Sequence, residues 1–330
     1  MTELRRGYLY GIAAFGIWGL FPLYWHLLAA AGPVEILAHR IIWSVVFVAG
    51  LLMLLRRWSW LRPLLRQPGK LLAVLVAASL ISVNWVTYIY GVTTDQVVET
   101  SLGYYINPLM SVLLGVVVLH ERMRTAQWLA IGIGTVAVVV LTVDYGRLPW
   151  IALTLAGAFA AYGLVKKRLA LPAAEGLFVE SAALALPALG YVGWLVSANQ
   201  HTFGTISIGH TLLLAGAGAT TAIPLLFFAG AANRVPLSTI GLLQYIAPTL
   251  QFVIGVWIFA EPMPLARQIG FALVWVALVV FSWDAVRHYR SSRTTATAAP
   301  SPAAAGSEAG AATGPAPAAS STAAAGTRVG

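Results

Sequence analysis

The chain has 330 residues, of which 59% are hydrophobic and only 9% are charged, and its formal net charge is +9. Soluble domains contain about 25% charged residues, so this composition excludes an ordinary soluble protein and predicts a polytopic membrane protein. The sequence has no cysteine, which excludes disulfide bonds, a thiolate nucleophile and a cysteine-ligated metal.

Apolar segments of the length needed to cross a bilayer recur along the chain. A transmembrane helix takes about 20 residues, whereas the apolar core of a cleaved signal peptide has about 7–15. The segment from Gly7 to Ala30 is therefore predicted to be a retained first helix. Helices are expected because lipid offers no hydrogen-bond partner to an open backbone group. The sequence predicts an all-α polytopic membrane protein with ten transmembrane helices, at residues 7–30, 34–55, 71–92, 97–119, 124–143, 148–166, 175–197, 210–231, 236–259 and 264–284.

The basic residues lie mainly beside alternate ends of these spans. Arg5 and Arg6 begin a series that falls on one side, and only Arg40, Arg147 and Arg267 fall on the other. Because positively charged loops stay in the cytoplasm, we expect a multi-pass protein of the cell (plasma or inner) membrane with both termini cytoplasmic. The net charge is then a topology signal, and no nucleic-acid partner is expected.

The second half of the chain repeats the first at an offset of 140 positions. Gly115 matches Gly255 and Glu121 matches Glu261, without a gap over three consecutive spans. Each copy holds five spans, an odd number, so the second copy enters the membrane inverted. Inverted repeats around a site at the bilayer midplane are typical of secondary transporters. We predict a first repeat at 1–143, a second at 144–284, and a disordered cytoplasmic tail at 285–330 that is too poor in apolar side chains to fold.

Several segments resemble the RarD-type branch of the EamA family, in the drug/metabolite transporter superfamily. They include FGIWGLFPLYW (15–25), ETSLGYYINPLMSVLLGVVVLHER (99–122) and LSTIGLLQYIAPTLQF (237–252). The resemblance implies a ten-helix inner-membrane carrier with two inverted EamA repeats, cytoplasmic termini and a central substrate cavity. It also implies export of small metabolites or drugs. The chloramphenicol-related label of this branch names a phenotype and not a substrate.

Polar side chains follow one face of the span at 97–119. Thr100, Tyr104, Asn107 and Ser111 have the spacing i, i+4, i+7 and i+11, which indicates a surface turned to another helix or to a wet cavity. The alternative for Asn107 is that its amide holds two helices together, which contributes only about 0.6 kcal/mol per bond.

The second repeat carries a matching face, on which Gln244 and Gln251 lie close to Tyr245. Gln251 allows the same alternative of a helix contact. Pro108 and its counterpart Pro248 each remove one backbone hydrogen bond and are expected to interrupt their helices. Each carbonyl left free then needs water, substrate or a side chain as its partner.

Ionisable residues are also predicted inside the membrane. His39 lies beside Arg40, which is about 9 Å inside its span at 1.5 Å per residue. Arg40 either snorkels outward or pairs with Glu99, and we favour the pair. Glu180 is the repeat counterpart of Arg40 and a candidate for proton coupling. The alternative for Glu180 is an interfacial pair with Lys166, Lys167 or Arg168.

Asn84, Trp85 and Tyr88 lie near the middle of their span, too deep for aromatic anchors at the membrane surface. The rings of Trp85 and Tyr88 are predicted to stack on an aromatic or cationic substrate. Trp18 matches Tyr162 in the second repeat, and it either lines the same cavity or packs between helices.

The sequence contains no HExxH, Walker, GxGxxG or GxSxG motif, and its histidines lack metal-ligand spacing, so no enzyme, cofactor or metal site is expected. We predict a lipid-embedded secondary transporter that exports a small metabolite or drug-like molecule by alternating access, with Glu99 or Glu180 coupling export to a proton gradient. A membrane channel, or a membrane-embedded lipid-modifying enzyme or sensor, is the alternative. Glycines such as Gly132 and Gly134 permit close helix packing or a homodimer face. The predicted substrate cavity is lined by Trp18, Asn84, Trp85, Tyr88, Tyr104, Asn107, Ser111, Gln244, Tyr245 and Gln251.

Overall fold

Helices form all the regular secondary structure in residues 2–120, 123–169 and 171–297, the part of the chain described by the computed structural model. Glu121 and most of the predicted tail lie outside these residues. The described residues up to Val286 form one compact unit, and residues 287–297, which are helical, belong to a second. The helices are α1 (Glu3–Gly19), α2 (Phe21–His26), α3 (Pro33–Leu54), α4 (Leu61–Leu65), α5 (Pro68–Thr93), α6 (Val97–Leu119), α7 (Thr125–Tyr145), α8 (Trp150–Leu169), α9 (Ala173–Ser197), α10 (Ile208–Ala232), α11 (Leu237–Leu243), α12 (Ile246–Val253) and α13 (Leu265–Thr297).

Nine helical segments of the described chain are long and apolar enough to cross a membrane, with α1 and α2 counted as one. The tenth predicted span corresponds to α8, a helix of 20 residues. Lys166 and Lys167 near its end lower its hydropathy. The prediction of an all-α polytopic membrane protein is confirmed.

The repeat is visible in where the helices begin. Four helices of the first half have counterparts that start 140 positions later in the second half. Proline opens α3 and α5, where its fixed φ suits the first helical position and its missing N–H removes no helical bond. The four pairs of first residues are Pro33 and Ala173, Pro68 and Ile208, Val97 and Leu237, and Thr125 and Leu265.

The helices of the two halves also pack in a matching way, in which a contact between two helices recurs between their counterparts. Helix α6 packs on α8, and its counterpart α12 packs on α1; α5 packs on α8, and its counterpart α10 packs on α1. Helices α3 and α9, which are counterparts of each other, lie side by side, as do α6 and α12. These contacts therefore occur in equivalent pairs in which the two repeats have exchanged places, as expected for two repeats related by a two-fold axis.

The contact between α3 and α10 depends on one glycine. A Cβ atom added to Gly218 would lie 2.2 Å from the backbone carbonyl carbon of Trp43 and 2.6 Å from the backbone nitrogen of Ser44. The two helix backbones thus approach closely enough that a side chain at this position has no space. Small residues at such crossings are the usual means of close helix packing in membranes.

The two matching prolines have different effects. Around Pro248 the helix is interrupted, since α11 ends at Leu243 and α12 begins at Ile246. Pro108 lies inside the continuous helix α6, so the predicted interruption there is wrong. Proline removes a single hydrogen bond, and the other residues of α6, which packs on α8, stay helical.

Candidate functional site

Arg40 is the charged centre of a group of aromatic side chains inside the bundle. Its side chain is 4% exposed. Its guanidinium carbon lies 3.9 Å from the ring centroid of Trp85 and 5.2 Å from that of Trp25. The hydroxyl groups of Tyr104 and Tyr88 interact with the same charge. The group contains Trp85, Tyr88 and Tyr104, all predicted to line the cavity.

The charge of Arg40 is not matched by a carboxylate of the described residues. None of their ion pairs or hydrogen bonds involves Arg40, and its Nε atom is buried without a partner. The predicted pair with Glu99 is therefore wrong in this structure. The sequence shows how deep each residue lies in its own span, and it does not show which residue lies opposite.

Glu99 instead binds groups at the beginning of α8. Its Oε2 lies 2.8 Å from Nη2 of Arg147, and its Oε1 accepts a hydrogen bond of 3.0 Å from the backbone N–H of Ile151. The side chain is 2% exposed. A carboxylate at a helix N-terminus stabilises the free N–H groups there and interacts favourably with the helix dipole.

Glu180 lies in a second ion pair, on α9. It accepts hydrogen bonds from the ammonium group of Lys166 and, at 3.1 Å, from the hydroxyl of Tyr162. Both partners belong to α8, and the Glu180 side chain is buried. The contact is the alternative that the sequence left open for this residue.

Tyr88 and Tyr104 meet edge to face, with ring centroids 5.5 Å apart. Tyr88 is buried and its hydroxyl has no partner among the described residues, whereas Tyr104 and Trp85 each keep part of their surface exposed. Buried hydroxyl groups are normally hydrogen-bonded. The group therefore contains a hydroxyl and a cation without partners among the described residues, beside two rings that are only partly buried.

Trp18 and Gln251 connect the two halves of the chain. The amide of Gln251 donates a hydrogen bond of 3.1 Å to the backbone carbonyl of Trp18, and its Oε1 is buried without a partner. The Trp18 ring packs on Phe15 and Phe228, with centroids 5.4 Å and 5.8 Å away. Most of the contacts of Trp18 and Gln251 described here therefore join helices to one another, the alternative that the sequence left open for both residues.

Three other predicted cavity residues also contact protein groups. The Asn84 amide donates to the carbonyl of Leu155 at 2.9 Å and joins α5 to α8. Gln244 donates to the carbonyl of Gly241 in its own helix. The hydroxyl of Tyr245 lies 3.5 Å from Oγ of Ser282.

The predicted polar face of α6 divides into different environments. Thr100 is fully buried and bonds to its own helix at Val97, whereas Ser111 is exposed. Asn107 is partly exposed, and its Oδ1 is buried without a partner. The face therefore does not line one continuous surface.

His39, on the helix turn beside Arg40, belongs to a separate cluster. Its ring stacks on Phe203 at 4.8 Å, and its Nε2 lies 4.0 Å from Oε1 of Glu35. Glu35 accepts a hydrogen bond of 2.7 Å from the backbone N–H of Thr202, in the loop before α10. His39 and Arg40 thus face different parts of the protein.

Glu261 joins the two repeats, a contact that the sequence did not predict. A π-helical segment, Ile254–Ile258, leads to this carboxylate, which accepts hydrogen bonds from the first backbone N–H groups of α6, those of Val97 and Val98. Burial raises the pKa of Glu261 to about 7, although the two N–H groups act in the opposite direction. The available signal was the recurrence of Glu121 and Glu261 in the repeat.

The fold and this site define the class: a multi-pass helical membrane protein of two inverted halves, with unpaired polar groups buried between its helices. The profile of the EamA-like transporter family matches residues 5–143. Protein RarD of Streptomyces exfoliatus is 57% identical over 298 residues, which cover 90% of this chain and 95% of that protein. Protein RarD of Escherichia coli (strain K12) is 40% identical over 89% of this chain and 98% of that protein. A crystal structure of a protein that is 20% identical has the same fold, with a TM-score of 0.55 over 84% of this chain and 98% of that one.

The chain therefore belongs to the EamA-like transporter family, in its RarD-type branch. It is a membrane transporter of the drug/metabolite superfamily, as the resemblance implied.

Proposed function

We propose that the protein is a secondary transporter that exports a small metabolite or drug-like molecule by alternating access. The observation that carries the proposal is Arg40, which has no ionic partner in the described part of the chain and lies within its aromatic group, buried where helices of both halves meet. Trp25 belongs to the same apolar cluster as Leu155 of α8 and Leu214 of α10. Inverted repeats that rock about such a site expose it first to one side of the membrane and then to the other.

The contacts at the two ends of the bundle supply the elements that would open in turn. At one end Glu261 holds the beginning of α6. At the other, Lys166 of α8 holds Glu180 of α9. An end that opens must lose such contacts while the opposite end keeps its own, and this is how a two-state carrier avoids an open channel.

Proton coupling is the second element of the proposal. Glu99 and Glu180 are the carboxylates first considered, and the ion pair of each would have to open when the carboxylate takes up a proton. Glu261 is a third candidate because it is buried without an ion pair among the described residues and its pKa lies near neutrality. A membrane carboxylate that gains and loses a proton is the usual coupling group in proton-driven carriers.

The experiment that tests the proposal is transport in proteoliposomes with an imposed pH gradient, screened over a panel of metabolites by mass spectrometry. We expect at least one compound to move only when the protein is present, and faster with the gradient than without it. Glu99→Gln, Glu180→Gln and Glu261→Gln are then compared, and the coupling carboxylate is the one whose variant no longer responds to the gradient. If wild-type transport does not depend on the pH gradient, proton coupling is contradicted, and the proposal that the protein is a carrier is unaffected.

We further propose that the protein lies in the plasma or inner membrane with both termini cytoplasmic, as repeats at 1–143 and 144–284 followed by the tail at 285–330. The cysteine-free sequence makes a direct test simple. Gln200→Cys and Ser59→Cys each place one thiol at an exposed position between helices. An impermeant thiol reagent added to whole cells is expected to label the first and to label the second only after the membrane is opened. The reverse pattern would contradict the orientation.

A further inference from the structure

The isolation of Arg40 points to a partner that is not part of the protein. Arg40 is 4% exposed, and its guanidinium makes no ion pair or hydrogen bond with the described residues. A charge without a partner in a low-dielectric interior is strongly disfavoured, and such residues inside a membrane mark substrate pathways. A resident anion or a transported one would remove this penalty.

The surroundings of Arg40 select the geometry of the partner. Trp85 covers the guanidinium at 3.9 Å, and the Nε atom carries a free N–H. A planar carboxylate matches the edge of a guanidinium with two parallel hydrogen bonds. The unpaired hydroxyl of Tyr88 and the buried, unpaired Nε1 of Trp25 are further donors in the same group.

The charge of the group limits the partner to a single negative charge. His39 is the nearest titratable neighbour along α3, and it is stacked on Phe203 beside Glu35 instead. The other electrostatic neighbours of Arg40 are tyrosine hydroxyls, which are neutral. A phosphate dianion would keep an unmatched charge here, whereas a monocarboxylate would not.

We propose that Arg40 binds the carboxylate of a small organic molecule, whose apolar or aromatic body lies against the accessible rings of Trp85 and Tyr104. The inference rests on the proposed function, because it takes the bound anion to be the transported molecule. It narrows the substrate from a small metabolite to a monocarboxylate. It also assigns Arg40 to substrate recognition, where the sequence favoured an ion pair with Glu99.

The test is equilibrium binding of matched carboxylates and amides to the purified full-length protein in detergent. The probes are benzoate with benzamide and phenylacetate with phenylacetamide, pairs of nearly equal size that differ in charge. Binding is followed by tryptophan fluorescence, since Trp85 and Trp25 flank the guanidinium. We expect saturable binding of at least one carboxylate, at least about tenfold tighter than its amide, because only the carboxylate accepts charge-assisted hydrogen bonds.

Two variants at Arg40 and one control complete the test. Arg40→Gln is expected to remove the preference for the carboxylate. Arg40→Lys retains the charge and is expected to weaken carboxylate binding about tenfold because it loses the planar fork. Arg66→Gln, at an exposed arginine, is the control and should bind as wild type does. If Arg40→Gln does not fold, the Arg40→Lys result decides.

Three outcomes would overturn the inference: amides that bind wild type as tightly as the carboxylates, carboxylate binding that survives both Arg40 variants unchanged, or no saturable binding of either carboxylate. None depends on transport. A protein that binds carboxylates through Arg40 and moves nothing across a membrane would refute the proposed function alone. A carrier that moves only neutral compounds, with Arg40→Gln as active as wild type, would refute this inference alone.

Discussion

Asp144 and Arg267 form an ion pair between α7 and α13, with Oδ2 of Asp144 2.9 Å from Nε of Arg267. A second pair joins the opposite ends of the same helices, where Arg124 lies 3.0 Å from Asp284. Asp284 follows Asp144 by 140 positions, so the two aspartates are counterparts in the repeat, whereas their partners Arg267 and Arg124 are not. The antiparallel helices α7 and α13 are thus joined by an ion pair at each end. Between the two pairs, the side chain of Leu141 packs closely on Gly270.

The first prediction concerns the strength of this ion pair. The Asp144 side chain is 7% exposed and that of Arg267 is 14% exposed. Asp144→Asn leaves a buried arginine without its partner, which costs about 3–5 kcal/mol. Unfolding of the purified protein in mixed detergent micelles measures the loss.

The matched control is the second ion pair between the same two helices, which is more accessible: Asp284 is 17% exposed and Arg124 is 38% exposed. Asp284→Asn should therefore cost only about 0–1 kcal/mol. Equal losses in the two variants would contradict the difference in burial, and an exchange of the charges in Asp144→Arg/Arg267→Asp should recover part of the stability.

The second prediction is that the stability of the folded protein depends on pH through the ionisation of Glu261. In the folded protein its pKa is raised from 4.5 to about 7 by burial. A raised pKa stabilises the fold fully below pH 4.5, and this contribution is lost as the pH rises through about 7. Asp95, Arg267 and Tyr145 surround the carboxylate and are the same in wild type and variant.

As the pH rises from 4.5 to above about 7, the melting temperature of Glu261→Gln should therefore fall less than that of wild type. The glutamine cannot ionise, and its side-chain oxygen still accepts from the N-terminus of α6. Melting curves of the two proteins at matched pH values provide the comparison. Parallel curves would show that Glu261 does not titrate in this range.

The third prediction tests the close approach of α3 and α10. Gly218→Ala places a methyl group against the backbone of Trp43, and overpacking of this kind costs about 1–3 kcal/mol. Gly190 is a control in α9, since a Cβ atom there has no neighbour within 4 Å. Gly190→Ala should change the melting temperature little, and a Gly218→Ala protein as stable as the control would show that the two helices lie farther apart.

The fourth prediction separates two roles for Asn84. Its bond to the Leu155 carbonyl joins α5 to α8, and bonds of this type in membranes contribute about 0.6 kcal/mol on average and at most about 1.7. Asn84→Ala should lower stability by this amount and leave the KM for substrate nearly unchanged. A raised KM at unchanged stability would place Asn84 in the substrate cavity, as the sequence suggested.

The sequence was sufficient for the spans, the repeat and the class of protein, because bilayer thickness and an offset of 140 positions leave strong, regular signals. It was less informative about partners. Glu99 pairs with Arg147. The distribution of basic residues already indicates that Arg147 and Arg40 lie on the same side of the membrane, so Arg147 was an equally available partner for Glu99. Depth along a helix was known, and distance across the bundle was not.

The prolines show the same limit. Pro108 and Pro248 match in the repeat, and only the second lies at a helix break. Helix α6, which packs on α8, stays continuous through Pro108, and the matching local sequences around the two prolines did not show this difference. The lack of an ionic partner for Arg40 among the described residues could not be predicted for a similar reason. It depends on which side chains of other helices surround Arg40, and only the structure gives these positions.

Counterflow in proteoliposomes tests most directly whether the protein is an alternating-access carrier. Vesicles are loaded with a concentrated unlabelled extract of small metabolites and transferred into a much more dilute solution of the same extract labelled with ¹³C. A carrier exchanges one molecule for another, so at least one labelled compound should rise inside above its outside concentration before it falls back. Labelled compounds that only approach equilibrium without this overshoot, or that do not enter at all, would contradict the account.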